Sequence, residues 1–158
     1  MNRKIYKIGD ETLRKISNPV TKFNDIRLNM LLRDMAETMY KANGVGLAAP
    51  QIGITRRIAV IDVSEERNEL IELINPEIIE MSGMCEMMEG CLSVPARQGV
   101  VTRPEKVKVR YQTRKGEQRE LSADGLLARC IQHELDHLDG ILYVDKMDYE
   151  LDENGERI

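Results

Sequence analysis

The sequence predicts an α+β fold: antiparallel β-sheets packed around a central helix, with one further N-terminal helix. Three observations lead there. Two segments carry apolar residues at helical spacing, and several short segments alternate apolar with polar residues. No strand–helix repeat runs through the 158 residues to suggest a parallel sheet. The length fits one domain, and an apolar fraction of 42% suffices for an ordinary globular core. No internal repeat or low-complexity linker divides the chain. Residues 1–147 read as a single domain and residues 148–158 as a polar tail that frays.

The first element is a helix from about Asp25 to Ala42. Leu28, Leu31, Leu32, Met35 and Met39 recur on one face, Asn24 or Asp25 can cap the start, and Gly44 follows the end. "RRIAVIDV" (56–63) reads as a strand, and "ELIELINP" (69–76) as another closed by Pro76. "EKVKVRYQT" (105–113) puts Val107, Val109 and Tyr111 on one face. "RKG" can then turn the chain, and "EQREL" can return as the hairpin partner. A second helix runs from near Asp124 through Leu138, with Ser122 or Asp124 as cap and Gly140 at its exit. Leu127, Ile131 and Leu138 give it a surface to bury.

The net charge of -4 comes from 23 basic and 27 acidic residues that are well mixed along the chain. No basic run fits a nucleic-acid groove or an anionic membrane surface, and no segment is long enough to span a bilayer. "MNRKIYKIGD" holds no apolar signal core, so a cytoplasmic protein is expected. Three cysteines, Cys85, Cys91 and Cys130, cannot all pair with one another. In a reducing compartment they are free thiols or metal ligands.

"QHELDHLDG" (132–140) contains both histidines of the chain. On a helix, His133 and His137 project from the same face one turn apart, so two imidazole nitrogens can meet one divalent ion. Glu134 points slightly aside, where it can act as general base for a metal-activated water. A structural zinc site would close with four protein ligands and leave Glu134 without a task. The third ligand has to be Cys, Asp or Glu. Cys130 lies too far back along the helix and reads as a small core residue. Cys85, Cys91, Asp145 and Glu150 all stay open on spacing. Taken alone, the helix motif also suits a metallopeptidase that cuts internal peptide bonds, or a non-catalytic zinc-stabilised binding module.

Two further stretches stand out. "NGVGLAAPQIG" (43–53) is a loop of small residues ending near Gln51, whose amide donors suit a developing oxyanion. "EGCLSVP" (89–95) places Cys91 before an extended segment. The ordered set "GVGLAAPQIG", "EGCLSVP" and "QHELDHLDG" closely resembles peptide deformylase, and the likeness runs from "IYKIGDETLRKIS" through about Val144.

The resemblance implies a hydrolase that removes the formyl group from the N-terminal formyl-methionine of newly made polypeptides, releasing formate. It implies Cys91, His133 and His137 as ligands of one divalent ion, with ferrous iron native and nickel, cobalt or zinc accepted. Glu134 matches the catalytic glutamate. Gln51, by its side-chain amide, and Leu92, by its backbone N–H, match the oxyanion donors. Backbone around Val45, Gly46 and Gly90 matches the walls that hold the peptide as an added strand. Val45, Ile131 and Leu127 are expected to line a methionine pocket, and Glu89 is expected to pair with Arg103 and brace the cysteine loop. The implied partners are nascent formylated polypeptides, with the ribosome as a further one for members that carry a longer C-terminal helix. The sequence ends with "MDYELDENGERI" (147–158). Cys85 and the methionine-rich "MSGMCEMMEG" lie outside the shared motifs.

Overall fold

In the computed structural model, which describes residues 1–158, eight strands form two antiparallel sheets. The strands are β1 (Gly46–Ala48), β2 (Ile58–Ile61), β3 (Ile71–Ser82), β4 (Cys85–Cys91), β5 (Val94–Arg103), β6 (Lys106–Gln112), β7 (Gln118–Asp124) and β8 (Tyr149–Leu151). The larger sheet has the order β1-β2-β3-β6-β7 and the smaller one β4-β5-β8. Three helices join them: α1 (Ile26–Lys41), α2 (Gly125–Leu138) and the short α3 (Tyr143–Lys146).

Strand periodicity explains why α1 and α2 sit on opposite faces of the larger sheet. In β2, Ile58 and Val60 point into one apolar cluster with Leu28, Leu32, Met35 and Met39 of α1. Ile61 points the other way, into a cluster with Val107, Val109, Ala128 and Ile131. All four residues of β2 are therefore buried, and the strand reads as a continuous apolar run. Helix α2 is buried almost all round, between this sheet and the β4–β5 hairpin. Val94 and Val101 of that hairpin close a third cluster with Leu142 and Tyr143.

Local signals hold at the ends of α1. The Asp25 carboxylate accepts from the Arg27 N–H, a cap contact whose loss typically costs about 1 kcal/mol. At the far end Asn43, not Gly44, takes the left-handed conformation (φ 57°). The hairpin expected around "RKG" is present, with Gln112 paired to Gln118.

Three differences from the sequence reading have physical causes. Pro76 does not close its strand. β3 continues to Ser82 because the register shifts between Ile74 and Glu77, so the missing N–H falls at a bulge. Asn75 stabilises that bulge: it has φ 51°, and its side chain bonds both backbone groups of Val20. Strand β4 has no counterpart in the sequence reading, because "MSGMCEMMEGC" lacks a clean alternation, whereas β5 is the extended segment expected after Cys91. Finally, the segment after Met147 does not simply fray. Tyr149–Leu151 pair with Gln98–Val100 of β5, and Arg97 holds Glu150 at 2.7 Å.

Candidate metal centre and its cavity

The site lies where α2 meets β1 and the β4–β5 hairpin. His133 and His137 project from α2 with ring centroids 5.0 Å apart. Cys91, the last residue of β4, brings its Sγ to 3.3 Å from His137 Nε2. One ligand atom each from Cys91, His133 and His137 lies within 4.8 Å of the others, and no other Cys, Asp or Glu joins this cluster. The alternatives that spacing left open are engaged elsewhere. Asp145 holds Arg14 and the Leu142 N–H, Glu150 holds Arg97, and the Cys85 thiol faces the Glu86 carbonyl.

The arrangement fits a divalent ion on the chemistry of its donors. Glu89 Oε1 accepts from His133 Nδ1 at 2.8 Å, which leaves Nε2 as the ring nitrogen turned toward Cys91. Burial acts to lower the His133 pKa, but hydrogen bonding to Cys91 and Glu89 outweighs it and pushes the value up to about 10. The thiol and carboxylate thus draw positive charge to this spot. Burial holds His137 well below the usual imidazole range, so that ring is neutral and its nitrogen is open to a metal.

Glu134 is buried, and its Oε1 has no protein partner. Burial pushes its carboxyl up to about 7, close to where a group must titrate to accept a proton and give it back. Opposite it is Gly46 of β1. A Cβ there would lie 2.5 Å from Glu134 Oε2, so only glycine lets the strand approach the carboxylate. Gln51 follows in the 3-10 turn Ala49–Ile52. Its Oε1 accepts from the Ala48 N–H, which aims Nε2 at Ser93 Oγ (3.1 Å) and Cys91 Sγ (3.6 Å).

A cavity of about 380 Å³ opens onto these groups. Val45, Gly46, Gln51, Gly90, Cys91, Leu92, His133 and Glu134 line it, and so do Met88, Leu126, Arg129 and Cys130. Ile131 and Leu127 require correction as pocket residues. Ile131 is fully buried in the cluster between α2 and the larger sheet, and Leu127 packs against that same cluster. Both point away from the cavity, because the helix face turned toward it carries Leu126, Arg129, Cys130 and His133. Cys130 is buried, as expected, and burial pushes its thiol up to about 12, so it stays protonated and inert.

Behind the ligands is a buried charge cluster. Arg103 donates to both oxygens of Glu89 at 2.5 and 3.0 Å and to Asp136 at 2.8 Å, so the expected Glu89–Arg103 pair is present. Arg129 also donates to Glu89, and to the Val101 and Cys85 carbonyls. Burial would raise the Glu89 pKa, but His133 and Arg103 more than offset that and hold it down to about 2. Sequence reasoning missed Arg129, Ser93 and Asp136. Arg129 had a signal: a charged residue four before His133, on the apolar face of a helix, needs a buried partner.

The comparisons agree with this geometry. A family model for polypeptide deformylase matches residues 2–152. The peptide deformylase of Thermoanaerobacter pseudethanolicus is 54% identical over 151 residues, covering 96% of this chain and 92% of that protein. Peptide deformylase 1 of Clostridium acetobutylicum is 55% identical over 145 residues, covering 92% and 94%. Among solved structures, a peptide deformylase from Legionella pneumophila superimposes with a TM-score of 0.90 at 49% identity, covering 94% of this chain and 87% of that one. The peptide deformylase of Thermotoga maritima gives 0.89 at 44% identity, covering 94% and 99%. On these matches, and with the two sheets and the helix between them arranged as described, the chain belongs to the polypeptide deformylase family.

Proposed function

We propose that this chain is a metal-dependent hydrolase that removes the formyl group from the N-terminal formyl-methionine of newly made polypeptides and releases formate. The observation that carries the reading is one thiol and two imidazoles within 4.8 Å of one another, beside a buried glutamate whose oxygen has no protein partner. Family membership supports it.

Cys91, His133 and His137 would hold the ion. When bound there it supplies Lewis acidity, polarising the formyl carbonyl and making a water a good nucleophile at neutral pH. Glu134 takes the proton of the attacking water and passes it to the departing nitrogen, which leaves as a free amine. Gln51 Nε2 and the Leu92 N–H donate to the developing oxyanion. Glu89 holds His133 in one tautomer throughout. The peptide lies between the Val45–Gly46 edge and Gly90, and the methionine side chain enters the cavity beside Val45, Met88 and Leu126.

Ferrous iron is the ion we assign. A thiolate donates more charge than a carboxylate and suits softer ions, with nickel, cobalt or zinc as substitutes. The working compartment is the cytoplasm and the substrates are chains emerging from the ribosome, a contact that co-sedimentation with ribosomes tests directly. The main test is formate release from formyl-Met-Ala-Ser after anaerobic loading with each metal, beside an unformylated casein control. Formate without casein cleavage is expected. Casein cleavage, or no formate with any of the four metals, would replace this reading.

A further inference from the structure

One segment outside the three site motifs touches both carriers of the oxyanion donors. The Tyr6 N–H donates to the Gln51 carbonyl at 2.7 Å, and two residues on the Ile8 N–H donates to the Ser93 carbonyl at 2.7 Å. Between them, Lys7 Nζ donates to the Leu92 carbonyl at 3.2 Å. Gln51 follows β1 in the larger sheet, whereas Leu92 and Ser93 form the turn between β4 and β5 of the smaller one. The two donors are therefore carried by turns that adjoin different sheets. Across the gap the direct side-chain links from Gln51 are Nε2 to Ser93 Oγ at 3.1 Å and the longer Nε2 to Cys91 Sγ at 3.6 Å.

Packing holds the segment in place. The Tyr6 ring lies against Gly53, where a Cβ would come within 2.9 Å of the ring. Gly53 also has φ 85°, so the 3-10 turn carrying Gln51 ends in a conformation that suits glycine and leaves room for the ring.

Resting on the deformylation reading above, we propose that Tyr6–Ile8 is a clasp that sets the distance between the Gln51 and Leu92 donors, with Lys7 as a positioning residue. Its ammonium fixes the Leu92 carbonyl, and so the orientation of the turn whose preceding N–H faces the substrate. Donors are useful to a transition state only when placed before the charge develops, so loosening the clasp should slow chemistry without weakening substrate binding.

Lys7 is exposed, so substituting it leaves the core intact. The experiment compares wild type, Lys7→Met and Lys7→Arg on formyl-Met-Ala-Ser, with the thermal midpoint measured for each. Lys7→Met should lower kcat about three- to tenfold at constant KM and constant midpoint, a fraction of the loss from removing an oxyanion donor outright. Lys7→Arg should restore most of it. An unchanged kcat in Lys7→Met, a loss appearing only in KM, or no rescue by arginine overturns the clasp. If the wild type itself releases no formate, it is the deformylation reading that fails.

Discussion

Glu134 and Gly46 face each other across the site with no room for a Cβ between them, and only the first was visible in the sequence. Glu134 follows from the spacing of two histidines on one helical turn, whereas the need for glycine at position 46 shows only once β1 is packed against α2. Glu134→Ala should keep the metal and lose nearly all turnover, as measured by metal content and formate release on the same sample. Gln51→Ala should lower kcat by about a hundredfold, in line with the loss of other oxyanion donors. Cys91→Ser should cut metal content while Cys85→Ser leaves it at the wild-type level, which elemental analysis of the purified variants decides. Residue types alone could not choose between these two cysteines. The choice rests on the β4–β5 turn, and "MSGMCEMMEGC" carries too little alternation to reveal that turn. The cavity lining was misread for a related reason: Ile131 and Arg129 are two positions apart on α2, and apolarity pointed to the one that does not line it.

The β4–β5 hairpin is fastened to α2 through ions as well as apolar packing. Arg103 and Arg129 converge on Glu89, and the sequence reading anticipated only the first of them. Removing one partner of a buried pair leaves an uncompensated charge, so Arg103→Met should destabilise the fold by about 3–5 kcal/mol. Denaturant unfolding checks that figure. The loop after α1 depends on another buried carboxylate. Asp62 accepts from Tyr40 Oη at 2.6 Å and from Ser64, and its own N–H donates to the Val45 carbonyl at the cavity edge. Burial acts to raise the Asp62 pKa, but the Ser64 and Tyr40 hydrogen bonds overcome it and bring the value from 3.8 to about 2. A carboxyl depressed in this way stabilises the fold above its unfolded pKa, and that contribution fades as pH falls through the folded value. The thermal midpoint should therefore drop between pH 3.8 and about 2. Asp62→Asn should be less stable at neutral pH and lack this part of the drop.

Two sheets, three apolar clusters and one almost fully buried helix make a molecule whose centre is also its candidate site. The helices and the central hairpin were legible because their periodicities run uninterrupted, as in Leu28–Met39 and Val107–Tyr111. The second sheet was not, because its strands mix glycine, methionine and charge, and because β8 lies in a segment polar enough to pass for a tail. Burying His133, His137 and Glu134 at the centre ties metal occupancy to stability. Chelation should lower the thermal midpoint by about 10 °C, assuming an ion held at roughly a thousand times its dissociation constant contributes about 4 kcal/mol. Adding back zinc should restore the midpoint, as followed by calorimetry.

β1 ends one sheet and β4 ends the other, and both margins face the same cavity. On the proposed seating, a client threaded there would be gripped by amides that every residue but one possesses, so recognition beyond the first side chain would ask for a backbone, not a sequence. One enzyme could then serve a whole proteome of unrelated beginnings, refusing chiefly those that set proline where a rung should form.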